Sequence, residues 1–174
     1  PSIQPLIKRK IPIVIKNTFA PKDTGTLIHE KYTNKQVVKG ISHIDSVSII
    51  NVEGSGMVGV TGFAKRMLEA LSEKKINVIM ITQASSEYSI CIAVDSNDDE
   101  IAKKAIDDKF SFEISLNKID PAKIERKMVN VAVVGDKMKS HQGISGKLFS
   151  ALGNNNINIK AIAQGASERN ISII

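Results

Sequence analysis

Residues 48–93 read SIINVEGSGMVGVTGFAKRMLEALSEKKINVIMITQASSEYSICIA, and residues 129–174 read VNVAVVGDKMKSHQGISGKLFSALGNNNINIKAIAQGASERNISII. Shifted by 81 residues, the two stretches align without a gap, and 14 of the 46 pairs are identical. The identities run the whole length, from Gly54/Gly135 and Met57/Met138 through Gly62/Gly143 and Leu71/Leu152 to Gln83/Gln164 and Glu87/Glu168. Most other pairs keep their polarity, as Val78 does with Ile159 and Met67 with Leu148. Two copies of one supersecondary unit are the simplest account, so the fold follows from reading one copy.

In the first copy, 47–52 is an apolar run bounded by Gly54, which suits a buried strand. A glycine-rich loop leads to Gly62. Phe63, Met67, Leu68 and Leu71 then recur at helical spacing and give one apolar face. Lys74 and Lys75 lie where cations suit a helix C-terminus. Residues 77–82 predict a second strand, 85–87 a turn, and 88–94 a third strand. Asp98, Asp99 and Glu100 open a second helix, because acidic groups favour a first turn. Its expected apolar face is Ile101, Ala105 and Ile106. Residues 111–116 alternate in polarity and predict the fourth strand. The order βαββαβ is the ferredoxin-like arrangement, an α/β (α+β) fold with antiparallel sheets and helices on one face.

The second copy predicts strand 129–134, helix 144–152, strand 157–163 and strand 170–174, with no second helix or fourth strand to follow. A sheet left with an open apolar edge is a liability. Residues 36–41, QVVKGI, lie outside both copies and are expected to supply the missing strand. The domain boundaries expected are therefore 1–35 for a leader with one strand at 11–16 and a turn at 21–25, 36–46 for the borrowed strand, 47–118 for the first module and 128–174 for the second.

The charge is uneven. The chain carries 24 basic and 18 acidic residues, a net +6. Residues 1–40 hold eight of the basic residues and only Asp23 and Glu30 as acids, so the whole excess sits in the leader. A nucleic-acid arm would interleave aromatics for base stacking, and this leader does not. A solvated flank, or a surface made to meet a neighbouring domain, is expected instead. Aromatic residues make up 4% of the chain, with no Trp, so the core must be built from Ile, Val, Leu, Met and Ala. The single cysteine, Cys91, excludes an internal disulfide framework and fits a reducing cytoplasm. No run of about 18 apolar residues offers a membrane span.

Several motifs are tested and set aside. Gly54 to Gly59 spells GxGxxG between a strand and a helix. A dinucleotide site also needs an acidic residue at the end of the next strand, where this chain has Gln83. The second copy has lost two of the three glycines. His29, His43 and His141 show no metal-ligand spacing. Cys91 alternates within a strand and reads as a small core residue. No nucleophilic triad and no GxxxxGK[ST] loop is present. No catalytic residue and no cofactor is expected in this chain.

What remains is a loop that ends at a helix N-terminus, where unpaired N–H groups attract a carboxylate. Gly62 and Gly143 allow close approach to that backbone. The next strand ends in Gln83 or Gln164, and a glutamine side chain both donates and accepts hydrogen bonds. The same constellation in both copies points to recognition of a small polar molecule.

Two strings, ITQASSEYSI (81–90) and IAQGASERNISII (162–174), resemble aspartate kinase regulatory regions, most of all those of bifunctional aspartokinase–homoserine dehydrogenase. VVGDKM, GISGKLFSALGNNNINI (143–159) and IPIVIKNTFAPKDTGTLI (11–28) extend the resemblance to nearly the whole chain. The resemblance implies tandem ACT modules that bind an amino-acid effector at module interfaces, threonine before lysine. It implies effector contacts from Gln83, Gln164, Gly62, Gly143, Asn77 and Asn158, with Ala64, Ile81 and Ile162 beside them. It implies a kinase domain of the same polypeptide, preceding the leader, that uses ATP and Mg; a homodimer is expected because the sheet edges 77–82 and 157–163 carry no gatekeeping prolines.

Overall fold

The structure, a computed structural model, describes residues 3–29, 36–57, 60–83, 88–139 and 141–174. The turn expected at 85–87, Glu87 included, lies outside the described residues. The chain divides into two compact units, Pro1–Gln36 and Val37–Ile174.

The first unit holds helix α1 (Gln4–Lys8) and an antiparallel pair, β1 (Ile13–Ile15) with β2 (Thr26–Ile28). The expected turn at 21–25 closes that pair. Gly25 has φ +71°, and a Cβ there would sit 2.4 Å from the Ile15 carbonyl oxygen, so both backbone angle and space demand glycine.

The second unit is built on one antiparallel sheet of six strands in the order β4–β5–β3–β6–β8–β7. Its centre is a pair of long strands, β3 (Gly40–Glu53) and β6 (Lys123–Val134). Helix α2 (Phe63–Glu73) follows β3, then β4 (Met80–Gln83), β5 (Ser89–Asp95), α3 (Asp99–Lys109) and α4 (Ser111–Ser115). After β6 come α5 (Ile144–Asn154), β7 (Ile162–Gln164) and β8 (Asn170–Ile173).

Each long strand serves both copies. The later half of β3 pairs with β5 and with the early half of β6, as in Ile50↔Ile92 and Ile50↔Ile124. With α2, β4, β5 and α3 this completes βαββαβ. The later half of β6 pairs with β8, as in Val133↔Ile171, and with the early half of β3, as in Gly40↔Val134 and Ile44↔Asn130. The second copy therefore receives a strand from Gly40–Ile44, a few residues later than the stretch 36–41. The two copies are related by an internal two-fold: the 81-residue shift carries the β3–β6 register onto itself. At its centre the register slips, and Ser46 (φ 58°) and Lys127 (φ 62°), 81 residues apart, both take the left-handed conformation. An extra residue in a ladder produces this kind of kink and twist.

The fourth strand of the first copy is not at 111–116. Those residues form α4, and Lys123–Met128 of β6 takes the role. Alternation in SFEISL suggested a strand, yet Phe112 is 71% exposed and Leu116 48%. Phe110, fully buried, decides the matter: its ring stacks on Phe63 at 4.3 Å and lies under the Arg66 guanidinium at 4.5 Å. Arg66 also pairs with Glu113 and donates to the Lys109 carbonyl, and these contacts hold the segment beside α2 as a helix. The expected apolar face of α3 shifts too. Ile101 is 54% exposed, and Ala102 is buried beside Ala105 and Ile106. On α2, Ala70 is buried where Leu68 was expected.

The main core lies between this sheet and helices α2 and α3, with Ile50, Val52, Met67, Leu71, Ile92 and Ile106 at its heart. The opposite face of β3, β4 and β5 is buried against the second copy through Val47, Ile49, Met80, Ala93, Ala161 and Ile174. The edge strands β4 and β7 thereby approach each other. A third cluster, of Val133, Met138, Ile171 and Ile173, lies under α5.

Candidate functional site

Helices α2 and α5 begin alike. Gly62 (φ 82°) and Gly143 (φ 84°) occupy the N-cap in the left-handed conformation, with no side-chain cap. Nothing lies within 4 Å of where either Cβ would be, so the backbone angle, not crowding, selects glycine. The first intrahelical bonds run from Arg66 N–H to the Gly62 carbonyl and from Lys147 N–H to the Gly143 carbonyl. The amides just before them have no partner inside the helix and form the positive end of its dipole.

The loop glycines ahead of α2 serve the chain itself. A Cβ on Gly54 would meet the Lys118 carbonyl oxygen at 2.4 Å, and one on Gly56 would lie 2.9 Å from the same atom, to which Gly56 N–H donates at 2.8 Å. Gly135, the partner of Gly54, packs on the Val37 carbonyl in the same way. Gly54 and Gly56, the first two glycines of the string, therefore serve backbone packing. The spacing of the string alone did not reveal the segment they pack on.

In the second copy a cavity of about 400 Å³ opens at the start of α5. Ile144 and Ser145 bring the helix N-terminus to it. Gln164, at the end of β7, and Glu168 bring polar groups from the other side. His141 and Gln142 line its mouth, over a floor of Met138 and Ile171. Gln164 is among the lining residues, whereas Gly143 is not, although the two residues that follow it are. Glu168 has φ 54°, a strained conformation for a residue with a Cβ. His141 was weighed only as a metal ligand, and Gln142 and Ser145 were not singled out, because the corresponding Val60, Thr61 and Ala64 carry different chemistry.

Gln83 lies elsewhere. It lines a second cavity, of about 360 Å³, between the two copies, together with Ile162, Thr82, Glu125 and Lys160. Ile162 is 47% exposed and Ile81 39%. Asn77 and Asn158 are exposed and precede their strands, which begin at Met80 and Ile162. Neither they nor Gly62, Gly143, Ala64 and Ile81 line either cavity. Cys91, half-buried in the second cavity, has its thiol pushed up by burial, which disfavours the thiolate.

The second unit is thus a duplicated ferredoxin-like fold with a cavity at the start of α5. The chain belongs to the ACT domain family, whose model matches residues 50–110 and 131–174. Over 99% of its length it is 42% identical to the bifunctional aspartokinase/homoserine dehydrogenase of Haemophilus influenzae, covering 21% of that protein. It is 40% identical to the chloroplastic bifunctional enzyme 1 of Arabidopsis thaliana, covering 20% of it. The chain thus spans about a fifth of the curated relatives it matches. Among solved structures it resembles the aspartate kinase of Clostridium acetobutylicum, with a TM-score of 0.85, 29% identity, and coverage of 99% of this chain and 40% of that one. E. coli aspartokinase III in complex with lysine and aspartate shares the fold, with a TM-score of 0.74, 21% identity, and coverage of 99% of this chain and 37% of that one.

Proposed function

We propose that this chain is the amino-acid-sensing regulatory region of an aspartate kinase, and that threonine is its effector. The observation that carries the reading is the cavity at α5, lined both by Gln164 and by Ile144 and Ser145 at the helix start. The effector's carboxylate takes the unpaired amides at the start of α5. Gln164 hydrogen-bonds the side-chain hydroxyl, and Met138 and Ile171 receive the methyl. Lysine is the second reading. Glu168 lines the same cavity, and its carboxylate would pair with a side-chain ammonium.

The kinase domain belongs to the same polypeptide in this proposal, and ATP and Mg act there. The leader unit supports that linkage, since Phe19 is 97% exposed and Ile7, Val14 and Leu27 each more than half, a surface suited to a neighbouring domain. The lone Cys91 fits a cytoplasmic protein.

Calorimetric titration with threonine and with lysine tests the reading. Gln164→Ala is expected to weaken threonine binding by about 1–3 kcal/mol, the cost of stranding a polar partner. In the full-length enzyme the same change should relieve threonine inhibition while leaving uninhibited turnover intact. Unchanged threonine affinity in Gln164→Ala refutes the site. Lysine binding without a threonine response gives the case to the second reading.

A further inference from the structure

The two copies share one ribbon, β3 with β6, and the ribbon carries two opposed bulges at its middle. The register from Gly40↔Val134 to Ile44↔Asn130 is the same as that from Ile49↔Glu125 to Asn51↔Lys123. Between these runs only Val47 pairs with Met128, one step out of register. Strand β3 gains a residue between Ile44 and Val47, β6 gains one between Glu125 and Met128, and the two cancel. Val47 and Met128 are 81 residues apart, so the internal two-fold passes through their pair. A bulge bends its strand. Here the two bends turn the copies toward each other, and Val47 and Ile49 meet Ala161 and Ile174 at the seam. Ser46 (φ 58°) and Lys127 (φ 62°) hold the bulges in the left-handed region, where glycine is the default. Other residues keep such angles only where the surrounding structure imposes them, and strain of this kind gathers at moving parts.

The bulges are clamped from the first copy. Ser96 N–H donates to the Ser46 carbonyl at 2.8 Å. Arg126, next to Lys127, pairs with Asp99 and Glu100 at the start of α3. The repeat puts Asp45 where Arg126 stands and Val129 where Ser48 stands, so the second copy does not repeat this clamp. Asp45 pairs instead with His43 at 3.4 Å, inside the early half of β3. Rotation about φ of Ser46 and Lys127 therefore swings the second copy against a fixed first copy. The seam opposes that swing. Its apolar contact is a small cluster around Val47, Ile49 and Met80, with a cavity of about 360 Å³ beside it. Across it Lys160 Nζ donates to Glu125 Oε2 at 2.6 Å. Their side chains are 41% and 36% exposed, so the pair opens into water at little cost. We propose that the paired bulges at Ser46 and Lys127 are a hinge, about which the two copies part at the seam, and that Glu125–Lys160 is the latch that holds it closed. The hinge goes beyond the proposed function and does not depend on it.

Cys91, the single cysteine, is half-buried on the seam and reports the opening. The test is the rate at which N-ethylmaleimide, a neutral reagent, labels it in the 174-residue chain. The left-handed angles belong to the closed form, and glycine relieves their strain. Ser46→Gly and Lys127→Gly should therefore each slow labelling about fivefold or more. Ser46→Val, whose branched side chain resists that angle, should speed it. Lys160→Met removes the latch and should speed labelling by up to about fivefold. Loss of a nearby cation by itself disfavours the thiolate and would slow the reaction, so the acceleration reads opening and not thiol chemistry. Lys75→Gly relieves the same kind of strain at the end of α2, away from the hinge, and should leave the rate unchanged. Circular dichroism reports whether each variant folds. If Ser46→Val does not, the two glycine variants and Lys160→Met still decide the matter. A rate indifferent to Ser46→Gly, Lys127→Gly and Lys160→Met means that the reagent reaches Cys91 through the cavity as it stands, and overturns the hinge. Slowing by Lys75→Gly equal to that by Ser46→Gly means that labelling waits for global unfolding, and overturns it as well.

Discussion

Asp99 is 4% exposed at the first turn of α3, and its side-chain partners come from other elements. Arg126 Nε donates to it at 2.8 Å from β6, and Ser48 Oγ donates at 2.9 Å from β3. The Ser48 hydroxyl lies 2.8 Å from that of Ser96, which extends the network. The Arg126 guanidinium, and after it the Ser48 hydroxyl, hold the Asp99 carboxyl below the ordinary carboxylate range in spite of burial. The sign of the pH effect follows. A depressed folded-state value means that the stabilisation is fully present above the unfolded value, about 3.9, and is lost as pH falls through the folded one. Asp99→Asn is expected to cost about 2 kcal/mol at pH 7, because it weakens a charged pair and disturbs buried Ser48. Urea unfolding at pH 7, 5 and 3 should show this difference unchanged from 7 to 5 and shrinking by 3. A difference that stays constant down to pH 3 would show that the Asp99 charge does not matter. Glycines divide by the same residue-level reasoning. Gly54→Ala forces a Cβ into the Lys118 backbone and should be severely destabilising. Gly143→Ala meets open space and should cost only the left-handed strain of about 1 kcal/mol. Comparing the melting temperatures of the two variants checks the ranking.

Both α2 and α5 end in the same way, and the ends carry a prediction of their own. Lys75 N–H donates to the Ser72 carbonyl and Ile76 N–H to the Leu71 carbonyl, with Lys75 at φ 58°. Asn156 and Ile157 repeat the pattern on Gly153 and Leu152, with Asn156 at φ 56°. This is the Schellman motif, whose left-handed residue is favoured as Gly and tolerated as Asn. Lys75→Gly should therefore stabilise the protein by about 0.5–1 kcal/mol, read as a raised urea midpoint at constant m-value. A lowered midpoint would show that the Lys75 side chain contributes more than the strain it causes. The helix starts were legible, to within a residue of expectation, but the strands expected at 77–82 and 157–163 begin only at Met80 and Ile162. The fourth strand was not legible. SFEISL alternates as a strand does, and nothing local shows that Phe110 stacks on Phe63 across 47 residues of chain. The fusion of two strands into β3, and of two into β6, was also hidden. Ser46 and Lys127 are ordinary residues whose left-handed angles come from the pairing, not from their side chains. At the candidate site, the repeat singled out Gln164 but could not show that Gly143 lies outside the cavity lining or that Gln83 lines a different cavity. Equivalent positions keep equivalent backbones while their neighbours diverge.

The 81-residue relation makes the second unit a two-fold object made from one chain, and it places the edge strands β4 and β7 at equivalent positions. Each has a neighbour in the sheet on one side only. Met80 and Ala161 bring their inner faces together, yet Ile81 is still 39% exposed and Ile162 47%. Neither strand contains Pro, Lys or a bulge of the kind that keeps edges from pairing. An exposed apolar edge of this sort is a template for another strand, and a closed symmetric pair is the arrangement that satisfies it without forming fibres. The chain is therefore expected to form a homodimer through these edges. Light scattering at micromolar concentration should give twice the 18.9 kDa of one chain. Ile81→Lys adds a charge on an outward-facing position of β4 that lines neither cavity, so it should shift the population toward monomer without lost secondary structure by circular dichroism. A monomer in the unaltered protein at that concentration would refute edge pairing. A dimer unaffected by Ile81→Lys would move the interface away from β4, leaving β7 and the exposed leader surface as the places where two copies meet.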